Sequence, residues 1–111
     1  MKTIKKGDVL VSKWGYDQTN VDFYLVLKRT NKMVTLQQIG SKPAAQKPAG
    51  MPFMTARVIP DQSKTEGKPF SRKVQATYWR NDSDNEEYAA IQSYAHAYVW
   101  NGAAQTETSY A

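Results

Sequence analysis

Residues 21–39, VDFYLVLKRTNKMVTLQQI, hold two alternating runs of side chains on either side of a polar turn. The first run has two faces: Val21, Phe23, Leu25 and Leu27 form one, and Asp22, Tyr24, Val26 and Lys28 the other. Such alternation of β-branched, aromatic and polar residues predicts a half-buried strand. Residues 29–32 are predicted to turn, because Asn31 tolerates a left-handed backbone, and residues 33–39 to return. The hairpin is the strongest indication of a β fold.

Shorter segments on both sides of this hairpin extend the β pattern. Residues 9–14, 53–59 and 70–79 are each predicted to form a strand. The polar or proline-containing segments 15–20, 40–52 and 61–69 are predicted to be turns or loops. Arg72 falls on the apolar face of its predicted strand. We therefore expect it near a barrel end, where its guanidinium can reach water.

Residues 83–100 allow two interpretations. Ser83 and Glu86 match a helix capping box, and Tyr88, Ile91, Ala95 and Tyr98 follow at helical spacing. The residues Tyr94, His96, Tyr98 and Trp100 instead alternate with Ala95, Ala97 and Val99. We favour a strand over residues 90–100, entering a tight hairpin at Asn101–Gly102 with a return strand at 106–110. A helix over residues 83–95 stays open.

Taken together, the pattern predicts one domain, residues 1–111, with five to seven short strands. The fold class is all-β, or mainly β with one short helix. The predicted architecture is a small antiparallel SH3-like barrel or a strongly bent sheet. The opening Lys6-Gly7-Asp8-Val9 before a first strand supports the likeness to SH3-like barrels, a fold-level analogy that carries no function.

Composition narrows the possible classes of function. The chain has 111 residues, 41% of them hydrophobic and 23% charged, which is typical of a globular protein. It has no cysteine, which excludes disulfides, thiolate metal sites and cysteine nucleophiles and favours the cytoplasm. Lysines interrupt the first residues, so no signal peptide is expected. No apolar run approaches the ~20 residues that span a bilayer, so no membrane partner is expected.

The charge is unevenly distributed along the chain. Residues 1–80 hold all 15 lysines and arginines against five acids, which leaves +10, whereas residues 81–111 hold five acids and no Lys or Arg, which leaves −5. Such polarity could present a positive face to a polyanion. The alternative is a solvated surface with charge complementarity between the two parts of the chain.

Two segments resemble a known group of proteins. WGYDQTNVDFY, residues 14–24, and SYAHAYVWNGAAQTETSYA, residues 93–111, are similar to motifs in a family of small proteins of phages, plasmids and their bacterial hosts. The second motif has an aromatic-Trp-Asn/Asp-Gly turn followed by a final Ser-Tyr-Ala. That family has no assigned activity. The resemblance implies a compact domain from mobile-element biology and transfers no catalytic residue.

Basic and aromatic residues alternate in several predicted strands, and together they form the candidate nucleic-acid site. Phosphates bind lysine and arginine, and unstacked bases bind flat aromatic rings. The candidates are Lys13, Trp14, Tyr16, Lys28, Arg29, Lys32, Arg72, Lys73, Trp79 and Arg80. A candidate recognition loop precedes the strongest strand and consists of Asp17, Gln18, Thr19 and Asn20. The alternative for the basic residues is that lysines protect strand edges from pairing with other strands. The alternative for residues 17–20 is a turn stabilised by hydrogen bonds from its own side chains.

Catalysis and metal binding are not expected. His96 is the only histidine and lacks a local serine or cysteine partner, so we interpret it as part of an aromatic strand face. One histidine also makes a poor metal site, and no phosphate-binding glycine motif is present, so no cofactor is predicted. The favoured function is a binding module for nucleic acid. The alternative partner is a host or phage protein, and the protein is expected to be a monomer or a weak homodimer.

Overall fold

The computed structural model describes residues 2–15, 20–43, 55–77, 85–92 and 95–108. These residues form seven strands: β1 (Val9–Trp14), β2 (Asn20–Arg29), β3 (Met33–Pro43), β4 (Thr55–Ala76), β5 (Glu87–Gln92), β6 (Ala95–Val99) and β7 (Gln105–Thr108). No helix occurs in the described segments, and so none that is long and apolar enough to cross a membrane.

Strands β1 to β6 form a closed antiparallel barrel. Their order in the sheet is β3-β2-β1-β6-β5-β4, and a further pairing of β3 with β4 joins the two ends. Closure removes the exposed edges that an open sheet would present. The prediction of an all-β antiparallel barrel is confirmed, and the architecture is compatible with small SH3-like and OB-like barrels.

The barrel interior contains the first hydrophobic core. Tyr24 and Phe70 meet there edge to face, with ring centroids 5.8 Å apart. Inward-facing alanines on β5 and β6 leave room for larger side chains from β1 to β4. The buried members of this core are Ile4, Leu10, Tyr24, Val26, Val34, Leu36, Ala89 and Ala97.

Strand β4 is much longer than its sequence predicts. Residues 61–69, expected to form a polar turn, lie within the continuous strand Thr55–Ala76, and β3 continues to Pro43 in a segment expected to be a loop. These two predictions are wrong because the polar composition reflects exposure of a paired ribbon and not a turn. We call residues 55–69, residues 40–43 and β7 the arm. Residues 44–54 lie outside the described chain.

The arm places a second hydrophobic cluster against the outer face of β1 and β2. Phe23 is 0% exposed and meets Trp100 edge to face at 6.3 Å, with Val58 of the arm in the same cluster. We call this outer face the covered wall; it carries Val9, Val11, Val21, Phe23 and Leu25. Buried residues therefore lie on both faces of β2, Phe23 on one and Tyr24 on the other, whereas its alternation predicts one buried face.

A β-bulge interrupts the alternation of β2. Val26 pairs with Leu36 and Lys28 pairs with Thr35, so Leu27 is the extra residue between them. Its side chain is 38% exposed. The sequence prediction that Lys28 shares the face of Tyr24 is wrong, since the bulge shifts the pleat by one residue and brings Lys28 opposite Thr35 on the outer face.

The described residues of the C-terminal segment form strands and no helix. Residues 87–92 and 95–99 pair as antiparallel β5 and β6, so strand and not helix is confirmed over these residues. The single strand predicted over residues 90–100 is wrong, because the chain reverses between Gln92 and Ala95. The predicted hairpin after β6 is wrong, because β7 pairs with β4. The turn at Asn101–Gly102 redirects the chain: the Trp100 indole N–H donates to the carbonyl oxygen of Ala103 at 2.7 Å, and Gly102 has a φ of +90°.

Candidate functional site

The outer faces of β4, β5 and β6 form an exposed surface, in contrast to the buried covered wall. We call this surface the open wall. Its residues are exposed or half-buried: Ser71, Lys73, Gln75, Tyr88, Ala90, His96 and Tyr98. Alternation of side chains across the pleat directs these residues outward, while Ala89 and Ala97 point into the barrel.

Three rings contact one another on the open wall. Tyr88 stacks on His96 with ring centroids 4.8 Å apart and planes 23° apart. Tyr88 is also the register partner of Tyr98, and their centroids lie 5.4 Å apart. The Tyr88 hydroxyl donates to Oε1 of Gln75 at 3.2 Å. His96 is exposed and its stack with Tyr88 uses one ring face; no ring of the described residues contacts its other face, to which a flat ligand can bind.

An acid lies at one end of this group of rings. Burial, followed by the negative charge of Glu86 and the neighbouring Tyr88, raises the pKa of Tyr98 above its ordinary value. Glu86 immediately precedes β5, two residues before Tyr88. The Glu86 carboxylate therefore marks one end of the group of rings, and the Tyr98 phenol stays protonated at neutral pH.

Two lysines flank His96, one on the neighbouring strand β1 and one two strands away on β4. Ser12 of β1 pairs with Ala97, so Lys13 lies one residue further along, beside His96. Val74 of β4 pairs with Ala89, and Ala90 pairs with His96, so Lys73 lies on the other side, about 10 Å away at two strand spacings. Both lysine side chains are exposed. The cations therefore lie on the side of the rings away from Glu86.

Two further candidate lysines approach the open wall from the β2–β3 hairpin. Lys28 pairs with Thr35, whose hydroxyl lies 3.2 Å from that of Ser71. Lys32 is at the hairpin turn, where its carbonyl oxygen accepts a hydrogen bond from the Val74 N–H at 2.8 Å. Both lysine side chains are exposed. The structure thus places Lys28 on β2, Lys32 in the β2–β3 turn and Lys73 on β4, with β3 between the two strands.

Arg29, in contrast, forms hydrogen bonds within the fold. Its guanidinium donates to both carboxylate oxygens of Glu87, at 2.8 and 3.1 Å, and to the carbonyl oxygen of Ile4 at 3.2 Å. The hydrogen bonds from Arg29 lower the pKa of the Glu87 carboxyl below its ordinary value, with a further contribution from the Ile4 N–H. This pair holds the N-terminal segment across one end of the barrel, so Arg29 is a structural residue and is not part of the open wall.

Arg72 also turns away from the open wall. Its guanidinium lies 4.6 Å from the centre of the Phe70 ring. Its Nη1 donates to the carbonyl oxygen of Ser71 at 2.9 Å. A half-buried arginine among core residues with its head group engaged in this way fits the expectation of a position at the boundary of the interior. The residue does not converge with Lys28, Lys32 and Lys73.

Trp14 lies on the inward-facing side of β1, together with Leu10 and Ser12. Its indole N–H donates to Oδ2 of Asp22 at 2.7 Å, and it pairs with Asn20 in the β1–β2 ladder. Trp14 and Lys13 therefore belong to opposite faces of the strand. The remaining candidates lie outside the described residues: Tyr16, Asp17, Gln18, Thr19, Trp79 and Arg80.

The sequence-based site left out the rings of the open wall. Tyr88, His96 and Tyr98 belong to it because β5 and β6 are neighbours in the barrel. The alternation from Tyr94 to Trp100 was a signal for an aromatic face, yet Tyr88 was assigned to a competing helical pattern. Only the pairing of the two strands joins these residues into one surface.

The open wall offers side chains that can bind a ligand. Within the described segments, no group of three His, Asp or Glu side chains is placed to hold a metal ion. His96 has a ring neighbour and two flanking lysines. Cations and flat ring faces can bind phosphate and base by charge and stacking.

Comparison of this chain with protein-family models, curated proteins and solved structures returned no match.

Proposed function

We propose that this protein is a non-catalytic nucleic-acid-binding module whose contact surface is the open wall. The observation that supports the proposal is the position of the exposed His96 ring, stacked on Tyr88 and flanked by Lys13 and Lys73. The absence of cysteine and the resemblance to phage- and plasmid-encoded proteins favour a bacterial cytoplasm as its site of action.

The two kinds of side chain supply complementary interactions. Exposed lysines neutralise phosphates and release condensed counterions, which gives affinity that falls with salt. Aromatic ring faces stack on bases without requiring a particular sequence. Lys28 and Lys32 extend the cationic side of the open wall toward the β2–β3 hairpin.

Glu86 makes the two ends of the open wall electrostatically different. Its carboxylate lies at the end of the ring group away from Lys13 and Lys73, and it repels phosphates there. The phosphate backbone is expected to follow the lysines. Substituting Glu86 by Gln should therefore strengthen binding slightly, about two- to threefold at low salt.

A fluorescence anisotropy titration with labelled DNA and RNA at ~50 mM and ~200 mM salt tests the proposal. Lys73→Ala should weaken binding and lower the salt slope by about one. Lys68→Ala is the matched control, since it removes the same charge from the same strand at an exposed position on the arm. Failure of the wild-type protein to bind any strand at ~50 mM salt, or equal loss in the two variants, would overturn the proposal.

One observation favours a second candidate, the binding of a host or phage protein. Leu27 and Met33, close to the turn of the β2–β3 hairpin, are large hydrophobic residues that are 38% and 41% exposed. Exposed apolar side chains beside aromatic ones are common in protein interfaces. A partner retained from lysate by the wild type but lost with Leu27→Ser and Met33→Ser would support it. A sizing experiment would separate this from self-association.

A further inference from the structure

Resting on the proposed function, we infer that the bound nucleic acid is single-stranded and that one of its bases stacks on the free face of His96. This base would extend the existing stack of Tyr88 and His96, whose centroids are 4.8 Å apart. The shared chemistry is an unpaired base with its phosphodiester backbone, so DNA and RNA single strands both qualify.

The shape of the surface distinguishes a single strand from a duplex. Bases inside a duplex have both faces covered by their neighbours and present only their edges, at the bottom of the grooves. A groove admits a protruding helix or a two-stranded ribbon. His96, Tyr88 and Tyr98 instead lie on the wall of a closed barrel, on paired strands within the sheet. Rings in such a position reach the face of an unstacked base.

The register of the strands places cations on both sides of that base. Lys13 lies beside His96 on β1, and Lys73 lies on β4 on the other side. Three strand spacings separate the two lysine positions, or about 15 Å. A strand crossing the barrel wall from β4 to β1 would pass Lys73, His96 and Lys13 in turn. Its phosphates would meet both lysines and stay clear of Glu86.

Stacking also predicts how affinity responds to the sequence of the bound strand and to replacement of His96. Every base has a flat π-face, so affinity is expected to depend weakly on sequence. Stacking uses the flat face of the His96 ring, so an aromatic ring without nitrogen atoms should substitute for it in binding. This expectation separates stacking from a hydrogen bond or a charge supplied by histidine.

The experiment compares a labelled 15-nucleotide oligo-dT, an oligo-U of the same length and a DNA hairpin duplex at ~50 mM salt. We expect either single strand to bind at least about tenfold more tightly than the duplex. His96→Ala should weaken single-strand binding by about 5- to 100-fold, and His96→Phe should restore it to within about threefold. Gln62→Ala, an exposed position on the arm, is the control and should leave affinity unchanged. The His96 ring protons should shift upfield on binding.

The outcomes separate this inference from the proposed function. A duplex that binds as tightly as the single strands would overturn the inference and leave the proposed function intact. Equal losses with His96→Phe and His96→Ala would overturn stacking on His96. Absence of binding to all three probes would overturn the proposed function itself. Circular dichroism of each variant establishes that a loss of binding does not come from unfolding.

Discussion

The covered wall and the open wall are two outer surfaces of one barrel, and their aromatic residues differ in exposure. On the covered wall, Phe23 is 0% exposed, because Val58 and Trp100 pack over it. On the open wall, Tyr88 and Tyr98 are half-buried and His96 is exposed. Strand alternation is the same on both. The difference lies in whether a later part of the chain folds across the strand, so an outward ring is core in one place and a contact surface in the other.

Two adjacent basic residues of β2 show a similar contrast, since one is exposed to solvent and the other is paired within the fold. Lys28 points to solvent beside the open wall, whereas Arg29 forms a two-point salt bridge with Glu87 at the barrel end. Both are positive residues in one predicted site. Their neighbours in space make one of them available to a ligand and the other part of the fold.

Truncating one ring on each wall should produce the largest difference. Phe23→Ala removes a fully buried ring and is expected to lower the free energy of unfolding by about 3–5 kcal/mol. Tyr98→Ala removes a half-buried ring and should lower it by about 1 kcal/mol or less. Urea denaturation of both variants measures the contrast. Equal losses would mean that the two walls are equally covered.

Arg29 and Lys28 offer the next comparison. Arg29→Met leaves the Glu87 carboxylate without its cation and removes the bond to the Ile4 carbonyl, so we expect a loss of about 2 kcal/mol in the free energy of unfolding. Lys28→Met should change stability by less than about 0.5 kcal/mol, because it is an exposed surface residue. Thermal and urea unfolding can rank the pair. A stability loss with Lys28→Met as large as that with Arg29→Met would remove the distinction.

The same ion pair predicts a pH dependence. Hydrogen bonds from Arg29 hold the pKa of Glu87 below its ordinary value of 4.5, so the folded state binds this proton less tightly than the unfolded state. The stabilisation is fully present above pH 4.5 and is lost as the pH falls through the lowered pKa. Glu87→Gln should therefore flatten the acid limb of the stability curve between pH 5 and 3, measured by urea unfolding at each pH. A variant as acid-sensitive as the wild type would contradict this.

A smaller effect should follow from loosening the arm. Gly67 has a φ of +71°, and Gln37 donates to the carbonyl oxygens of Glu66 and Gly67 at 3.1 Å each. An added Cβ meets no atom within 4 Å at this position, so the strain comes from the backbone alone. Gly67→Ala should lower the free energy of unfolding by about 1 kcal/mol. Hydrogen exchange should quicken in the arm before it does in β5 and β6; uniform quickening would contradict the local effect.

The smallest expected change lies inside the barrel. The Ser12 hydroxyl is buried, and it finds no hydrogen-bond partner within the described part of the chain. Because a buried hydroxyl without a partner is unfavourable, Ser12→Ala should be neutral or stabilise the fold by up to about 1 kcal/mol. Thermal unfolding measures it. A clear loss of stability would show that the hydroxyl has a partner in the native protein.

Several features were readable from the residue pattern because they depend on near neighbours. The hairpin of β2 and β3 follows from period-two alternation around a polar turn, and the short β1 follows from its apolar run. The pattern failed at Lys28, in residues 61–69 and after Asn101. In each case the outcome depends on a distant strand: a bulge opposite β3, a long pairing of β4 with β3, and the pairing of β7 with β4.

By itself, the sequence determined the β class, the polarity of charge along the chain and the presence of an aromatic, alternating C-terminal segment. These are properties of residues and their spacing. Only the tertiary structure decided which rings are buried, which cations are paired internally and which residues meet on the open wall. The physical reason is that burial and charge pairing depend on residues far apart in the chain, such as Arg29 with Glu87 and Phe23 with Trp100, which become neighbours when the barrel closes.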